Sequence, residues 1–237
     1  DITLPPGFSS KIVVRWGDPM TSGGPEFDHE TRGTATTQAV TFGDNIDGME
    51  IFEDGDKTIL VVNNEYTNRR ILWPDGAPAS DDDVNKGKMA HGVTVVEVDG
   101  MSIVKDSKYN RRITPDTPMA ITGPAAGHDL MKTAADAAGT SSLGTWNNCG
   151  SGSTPWGTYL ACEENFNGYY SAADEAHEVS PELARYGVSS KDWGYGWAKT
   201  DERFDVSKHP NEPNRNGYVV EIDPADPTST PKKRTAL

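Results

Sequence analysis

The apolar residues of this chain come in short runs, each closed by polar residues, and no window shows sustained helical periodicity. Thr58–Asn68 (TILVVNNEYTN) carries one such run, Ile59–Val62, followed by polar residues and an aromatic. Thr158–Gly168 (TYLACEENFNG) repeats the plan. Leu60 aligns with Leu160, Val62 with Cys162, the pair Asn63-Asn64 with Glu163-Glu164, and Tyr66 with Phe166. A second pair, Gly92–Gly100 (GVTVVEVDG) and Gly217–Pro224 (GYVVEIDP), follows each of the first. The pattern predicts an all-β, loop-rich chain built from a repeated two-strand unit. A β-propeller has that signature, and an all-β sandwich would produce similar pairs. In a propeller the first strand of each blade lines the central channel. Thr58–Asn63 and Thr158–Cys162 are then the innermost strands of two blades. Their polar ends, with Asn64, Glu65, Cys162, Glu163 and Glu164, meet at one end of the axis, under the loops Phe42–Met49 and Asn211–Asn216.

Composition supports the β reading and narrows the partners. Gly and Pro number 24 and 16 in 237 residues, enough to break the chain every few positions. The formal charge of −14 argues against nucleic acid and anionic membrane as natural partners. The surplus acids serve as a solvated surface, the default for Asp81-Asp82-Asp83, or as calcium ligands. No run of about 18 apolar residues is present, so no span is expected. The chain opens at Asp1 without a Met, which suggests processing, and Pro224–Leu237 reads as an extended segment that stops inside a domain.

The chemistry concentrates in residues 147–170 (NNCGSGSTPWGTYLACEENFNGYY). Cys162, Glu163, Glu164 and Asn165 put a soft thiolate beside hard oxygen donors at a strand end, a mixture that suits a mixed metal site. The alternative is a Cys149–Cys162 disulfide with solvated acids. Asp44, Asn45 and Asp47 form a D-N-x-D-G string without the distal Glu of an EF-hand, so it is an Asx-rich turn or a donor of one or two oxygens. Glu212, framed by Pro210 and Pro213, is turn chemistry or a preset ligand. His91 before the GVTVVEV strand reads as structural or as site lining, and His128 as capping or lining a short helix. There is no GxSxG, Walker, HExxH or paired CxxC motif.

Several strings, in order along all 237 residues, resemble the PhoX-type bacterial alkaline phosphatases. They include LPPGF, WGDPM, Asp47–Met49, Glu65–Asn68, AHGV at Ala90–Val93, YNRRITPDTPM, GPAAGHDLMKT, TPWGTYLACEEN and NEPNRNGYVVEIDP. The resemblance implies a phosphomonoesterase, secreted by the twin-arginine route to the periplasm or beyond, on a six-bladed propeller. It implies an iron and calcium cofactor cluster, Fe(3+) and Ca(2+), with a cysteine thiolate on the irons and a metal-held oxygen as nucleophile, so no catalytic side chain is expected. Carried onto this chain, the thiolate falls on Cys162 rather than Cys149, and Glu65 is the next ligand. Asp47, Glu163, Glu164 and Glu212 complete the expected metal set, with Asn64, His91, Cys149 and Asn165 as lining. Where family members carry histidines this chain has Asn45, Asn64 and Ser151. Members run to more than twice this length, so the chain is expected to be the N-terminal part of one propeller domain, the remainder lying beyond Leu237. The competing classes are a non-catalytic calcium-binding propeller, which needs hard oxygens only, and a lactonase-like calcium hydrolase.

Overall fold

The computed structural model describes residues 2–236. Asp1 and Leu237, on which the readings of a processed start and an interrupted end fall, lie outside the described residues. The structure is mostly β, with two sheets and no closed barrel among the described residues. The first sheet contains β1 (Ile46–Asp54), β2 (Lys57–Asn64), β3 (Gly92–Asp99), β4 (Ser102–Ile103) and β5 (Arg111–Ile113). Its order is β1-β2-β3-β4, with β5 also paired to β3. The second contains β6 (Pro118–Thr122), β7 (Ser141–Leu143), β8 (Asn148–Ser153), β9 (Tyr159–Glu163), β10 (Val219–Ile222) and β11 (Lys232–Arg234). Its order is β7-β6-β11-β10-β9-β8, antiparallel except for β11 against β6.

Alternation along β2 sorts its side chains onto two faces. Ile59 and Val61 join Val93, Val95, Tyr159, Ala161, Val220 and Ile222 in one core shared by both sheets. Val62 on the opposite face packs with Met20, Phe42 and Val96, with Leu60 at the margin. The first sheet is therefore covered on both sides, which explains why Ile59–Val62 is a continuous apolar run. A third, aromatic cluster forms where the excursion between β9 and β10 folds over Trp146, bringing in Tyr169, Tyr170, Trp197 and Phe204.

Two expectations are corrected here. The strands read as innermost, β2 and β9, each lie second in their sheets, behind β1 and β8. These two edge strands face each other: a Cβ on Gly48 of β1 would lie 2.7 Å from the Cys149 carbonyl oxygen of β8. The sequence hides them because β1 (IDGMEIFED) and β8 (NCGSGS) lack an apolar run. For the same reason Phe42–Met49, read as a loop, already contains the start of β1. The acids Asp81–Asp83 open a nine-residue helix, Asp81–Met89. Ser80 caps it, accepting from Asp83 N, and lysines occupy the last turn, so its ends match the helix dipole although its apolar periodicity is weak.

Candidate metal centre

Both edge strands are interrupted at the same place. On β1 the partners are Ile46–Asn64 and Met49–Val62, three steps against two. On β8 they are Asn148–Glu163 and Ser151–Ala161, again three against two. Each strand thus carries a one-residue β-bulge, a device that re-aims a side chain and increases local twist. The bulges are Asp47-Gly48 and Cys149-Gly150. Ahead of each stands an asparagine with positive φ, Asn45 at 41° and Asn147 at 51°. Each asparagine carbonyl accepts from the amide just past the partner strand, Glu65 N and Glu164 N, both at 2.9 Å.

Asp47 therefore corresponds to Cys149, and Glu65 to Glu164. The sequence alignment of the two units is one residue out of register, since the ladder pairs place Val62 opposite Ala161 in the repeat rather than opposite Cys162. A slip of one flips every side chain to the other face.

The bulges aim their side chains at each other. A carboxylate oxygen of Asp47, one of Glu65 and the Cys149 Sγ all lie within 4.8 Å. Burial and the Asp47 carboxylate raise Glu65 to about 7, with Glu164 adding to the push. A hydrogen bond to Asp47, burial and the acidic surroundings push the Cys149 thiol up to about 12. Charge crowds here without relief: among the described residues no Lys, Arg or His pairs with Asp47, Glu65 or Glu164. Two carboxylates and a thiol converge here, and a multivalent cation fits them, since it would reverse the direction of the Glu65 and Cys149 shifts.

The supports are drawn from both sheets. Asn63 Nδ2 donates to the carbonyls of Cys149 at 2.9 Å and Gly150 at 3.1 Å, pinning the β8 bulge to β2. Tyr159 from β9 donates to Asn63 Oδ1 at 2.8 Å and lies 3.1 Å from the Gly48 carbonyl. Neither residue stood among the sequence candidates; the signal was the first asparagine of NNE, read only through its neighbour Asn64.

Of the expected residues, Asp47, Glu65 and Cys149 are brought together, and Glu164 sits close enough to raise both Glu65 and Cys149. Asn165 Nδ2 lies 3.2 Å from Glu164 Oε2 and holds it. The rest are placed elsewhere. Cys162 is exposed on the outer face of β9, opposite the buried side of Ala161 and Glu163, and does not join the cluster. Both cysteines are free thiols, so the disulfide is not formed. Glu163 points the other way from Glu164, into a buried ion pair with Lys233 at 2.8 Å, and accepts from Gly217 N and Tyr218 N. Glu212 is buried against Arg215 at 3.4 Å in a short 3-10 turn. Asn64 accepts from Thr94 Oγ1 in the interior. His91 is fully buried between Gly87 O and the Tyr169 hydroxyl, and burial holds its ring neutral, down to about 3. Asp44 accepts from Asn45 N and Asn68 N, which fixes the approach to Asp47. His128 caps the 3-10 turn Asp129–Met131.

A two-sheet β chain whose facing edge strands present acids and a thiol without a balancing cation defines a candidate metal-dependent protein. The family model described as "Alkaline phosphatase PhoX" matches residues 1–237, and the chain belongs to that family. It is also similar to a solved structure of Pseudomonas fluorescens PhoX in complex with vanadate, described as a transition-state analogue. The identity is 49% and the TM-score 0.95, over 99% of this chain and 42% of that one. This chain thus spans less than half the length of the relative it matches. No curated protein matches it.

Proposed function

We propose that the protein carrying this chain hydrolyses phosphomonoesters at an iron and calcium site held by Asp47, Glu65, Cys149 and Glu164. The observation that carries this reading is the Asp47–Glu65–Cys149 cluster in a member of the PhoX family. The vanadate complex of the Pseudomonas fluorescens relative supports a phosphoryl reaction in that family. Iron and calcium, when bound, supply the positive charge that neutralises phosphoryl oxygens. The chain's own residues provide two donor classes: hard carboxylates at Asp47, Glu65 and Glu164, and one soft thiolate at Cys149. Asn63 and Asn165 keep those donors converged, so the site is ready before substrate enters. In this reading the chain's side chains bind and orient, and none of them serves as the nucleophile.

The same reading treats the two sheets as blades of one six-bladed propeller, with β1 and β8 as their inner strands. The remaining blades would come from the further length that the relative possesses. It extends to export by the twin-arginine route into the periplasm or medium; no helix among the described residues is long and apolar enough to cross a membrane.

The test strips the protein with chelator and assays a chromogenic phosphomonoester after adding iron, calcium or both, with elemental analysis alongside. The reading expects activity only when both metals are restored. Full turnover by stripped protein, or by calcium alone, would overturn it.

A further inference from the structure

We propose that Tyr169 and Asn147 are positioning residues that hold Glu164 and Cys149 on one side of the cluster, with His91 fixing the direction of their hydrogen bonds. The inference rests on the reading of that cluster as a metal site. Asn147 is nearly fully buried and adopts positive φ, a conformation a non-glycine residue keeps only when its surroundings hold it. Three of its groups are committed. Its backbone oxygen accepts from Glu164 N at 2.9 Å, its Oδ1 accepts from Asn165 N at 3.1 Å, and its Nδ2 donates to the Tyr169 hydroxyl at 2.8 Å. One residue therefore sets the two backbone amides that place Glu164, and stands two positions before Cys149.

The Tyr169 hydroxyl is oriented in turn. His91 Nδ1 lies 2.7 Å from the Gly87 carbonyl, which only accepts, so Nδ1 carries the proton. The neutral ring then offers Nε2 as an acceptor, and the Tyr169 hydroxyl, 3.0 Å away, gives its proton there. Its lone pairs are left for Asn147. The donor order runs from Asn147 to Tyr169 to His91 to Gly87, and each member has a single consistent role. The counterpart in the first sheet lacks this support. Asn45 Nδ2 bonds to the local Tyr66 carbonyl at 3.1 Å, and no aromatic hydroxyl among the described residues bonds to it. The half of the site that carries the thiol is thus wired into the aromatic cluster, and the half that carries Asp47 is not.

Such outer partners of metal ligands alter affinity by about 10- to 100-fold when removed. The experiment uses the metal-loaded protein challenged with graded chelator, read by elemental analysis, in wild type, Y169F, N147G, Y169F/N147G and Y170F. Glycine tolerates the backbone of residue 147, and Phe keeps the ring of 169, so neither change disturbs the backbone or the ring packing, and urea midpoints confirm that each variant is folded. Tyr170 is a control: its hydroxyl, equally buried, accepts from Asn216 Nδ2 at 2.6 Å and has no link to Asn147. Y169F and N147G are each expected to lose metal at roughly tenfold lower chelator, the double variant no more easily than the weaker single, and Y170F as wild type does. Equal loss in Y169F and Y170F, wild-type retention in Y169F, or independent multiplying effects in the double variant would overturn the assignment alone. Wild type that retains neither metal would overturn the cluster reading itself, and this assignment with it.

Discussion

Glu65 and Cys149 carry their protons above their usual range, Glu65 through burial and then the Asp47 carboxylate, Cys149 through its hydrogen bond to Asp47 and then burial, with Glu164 adding to both. A cation that binds here must displace those protons. Near pH 8 Glu65, at about 7, is mostly ionised and Cys149, at about 12, is not, so binding should release about one proton per site. Titration calorimetry in buffers of different ionisation enthalpy measures this, and release near zero would exclude the thiol as a ligand. Glu65 also leaves a mark on metal-free stability. Its folded pKa is raised from 4.5 to about 7, so its stabilising contribution is present below 4.5 and fades as pH rises towards 7. E65Q should gain on wild type across that window in urea midpoints. His91 has the opposite sign. The unfolded chain takes up a proton near 6.5 that the buried ring refuses until about 3, so stability falls as pH drops between those values. Measured in the E65Q background between about pH 5 and 6.5, above the range in which the lowered carboxylates add a slope of the same sign, H91N should flatten this fall. Sequence logic found the acids and both cysteines but favoured Cys162, because it stands at a strand end beside Glu163 and Glu164. Nothing in NNCGSGS announces that Cys149 is turned by a bulge.

The bulges are what the element scale adds. Gly48 sits where β1 and β8 touch, and a methyl there would meet the Cys149 carbonyl oxygen and Ser151 Cβ, each at 2.7 Å. G48A should therefore push the strands apart, costing about 1–3 kcal/mol and loosening metal retention. A methyl on Gly150, its counterpart, would make only ordinary van der Waals contact, the nearest atom being Cys162 Sγ at 3.7 Å, so G150A should be much milder. Urea midpoints of the two variants check this; equal costs would mean that the seam is not as close as described. The strands β2 and β3 were legible because both faces of their sheet are buried and both are rich in apolar β-branched residues. The edge strands β1 and β8 were not. Their side chains serve the seam and the cluster, so their composition reads as loop. The internal repeat was visible, yet its register was not, since a bulge shifts the pairing by one residue without changing the apolar pattern.

At the scale of the whole molecule, a net charge of −14 is partly concentrated at one seam between two sheets. Cation binding there couples directly to folding, because the unfolded chain does not hold the donors together. Metal at a hundredfold excess over its dissociation constant should raise stability by about 2.7 kcal/mol, and an equal rise in a D47N/E65Q variant would place the cation elsewhere. The two sheets share one core and one seam, so the site belongs to their junction and to neither sheet alone. The family strings were plain in the sequence; the junction was not, as it joins residues about a hundred positions apart whose only shared signal is an asparagine, a polar residue and a glycine.

The most direct measurement compares C149S with C162S in the metal-loaded protein, reading iron content and phosphomonoester turnover together. The account predicts that C149S loses iron and at least about 100-fold in turnover, the scale of a lost ligand or its support. C162S, whose thiol faces solvent on the outer side of β9, should match wild type in both. Loss in C162S with retention in C149S would contradict the placement of the thiol beside Asp47 and Glu65, and with it the site proposed for this chain.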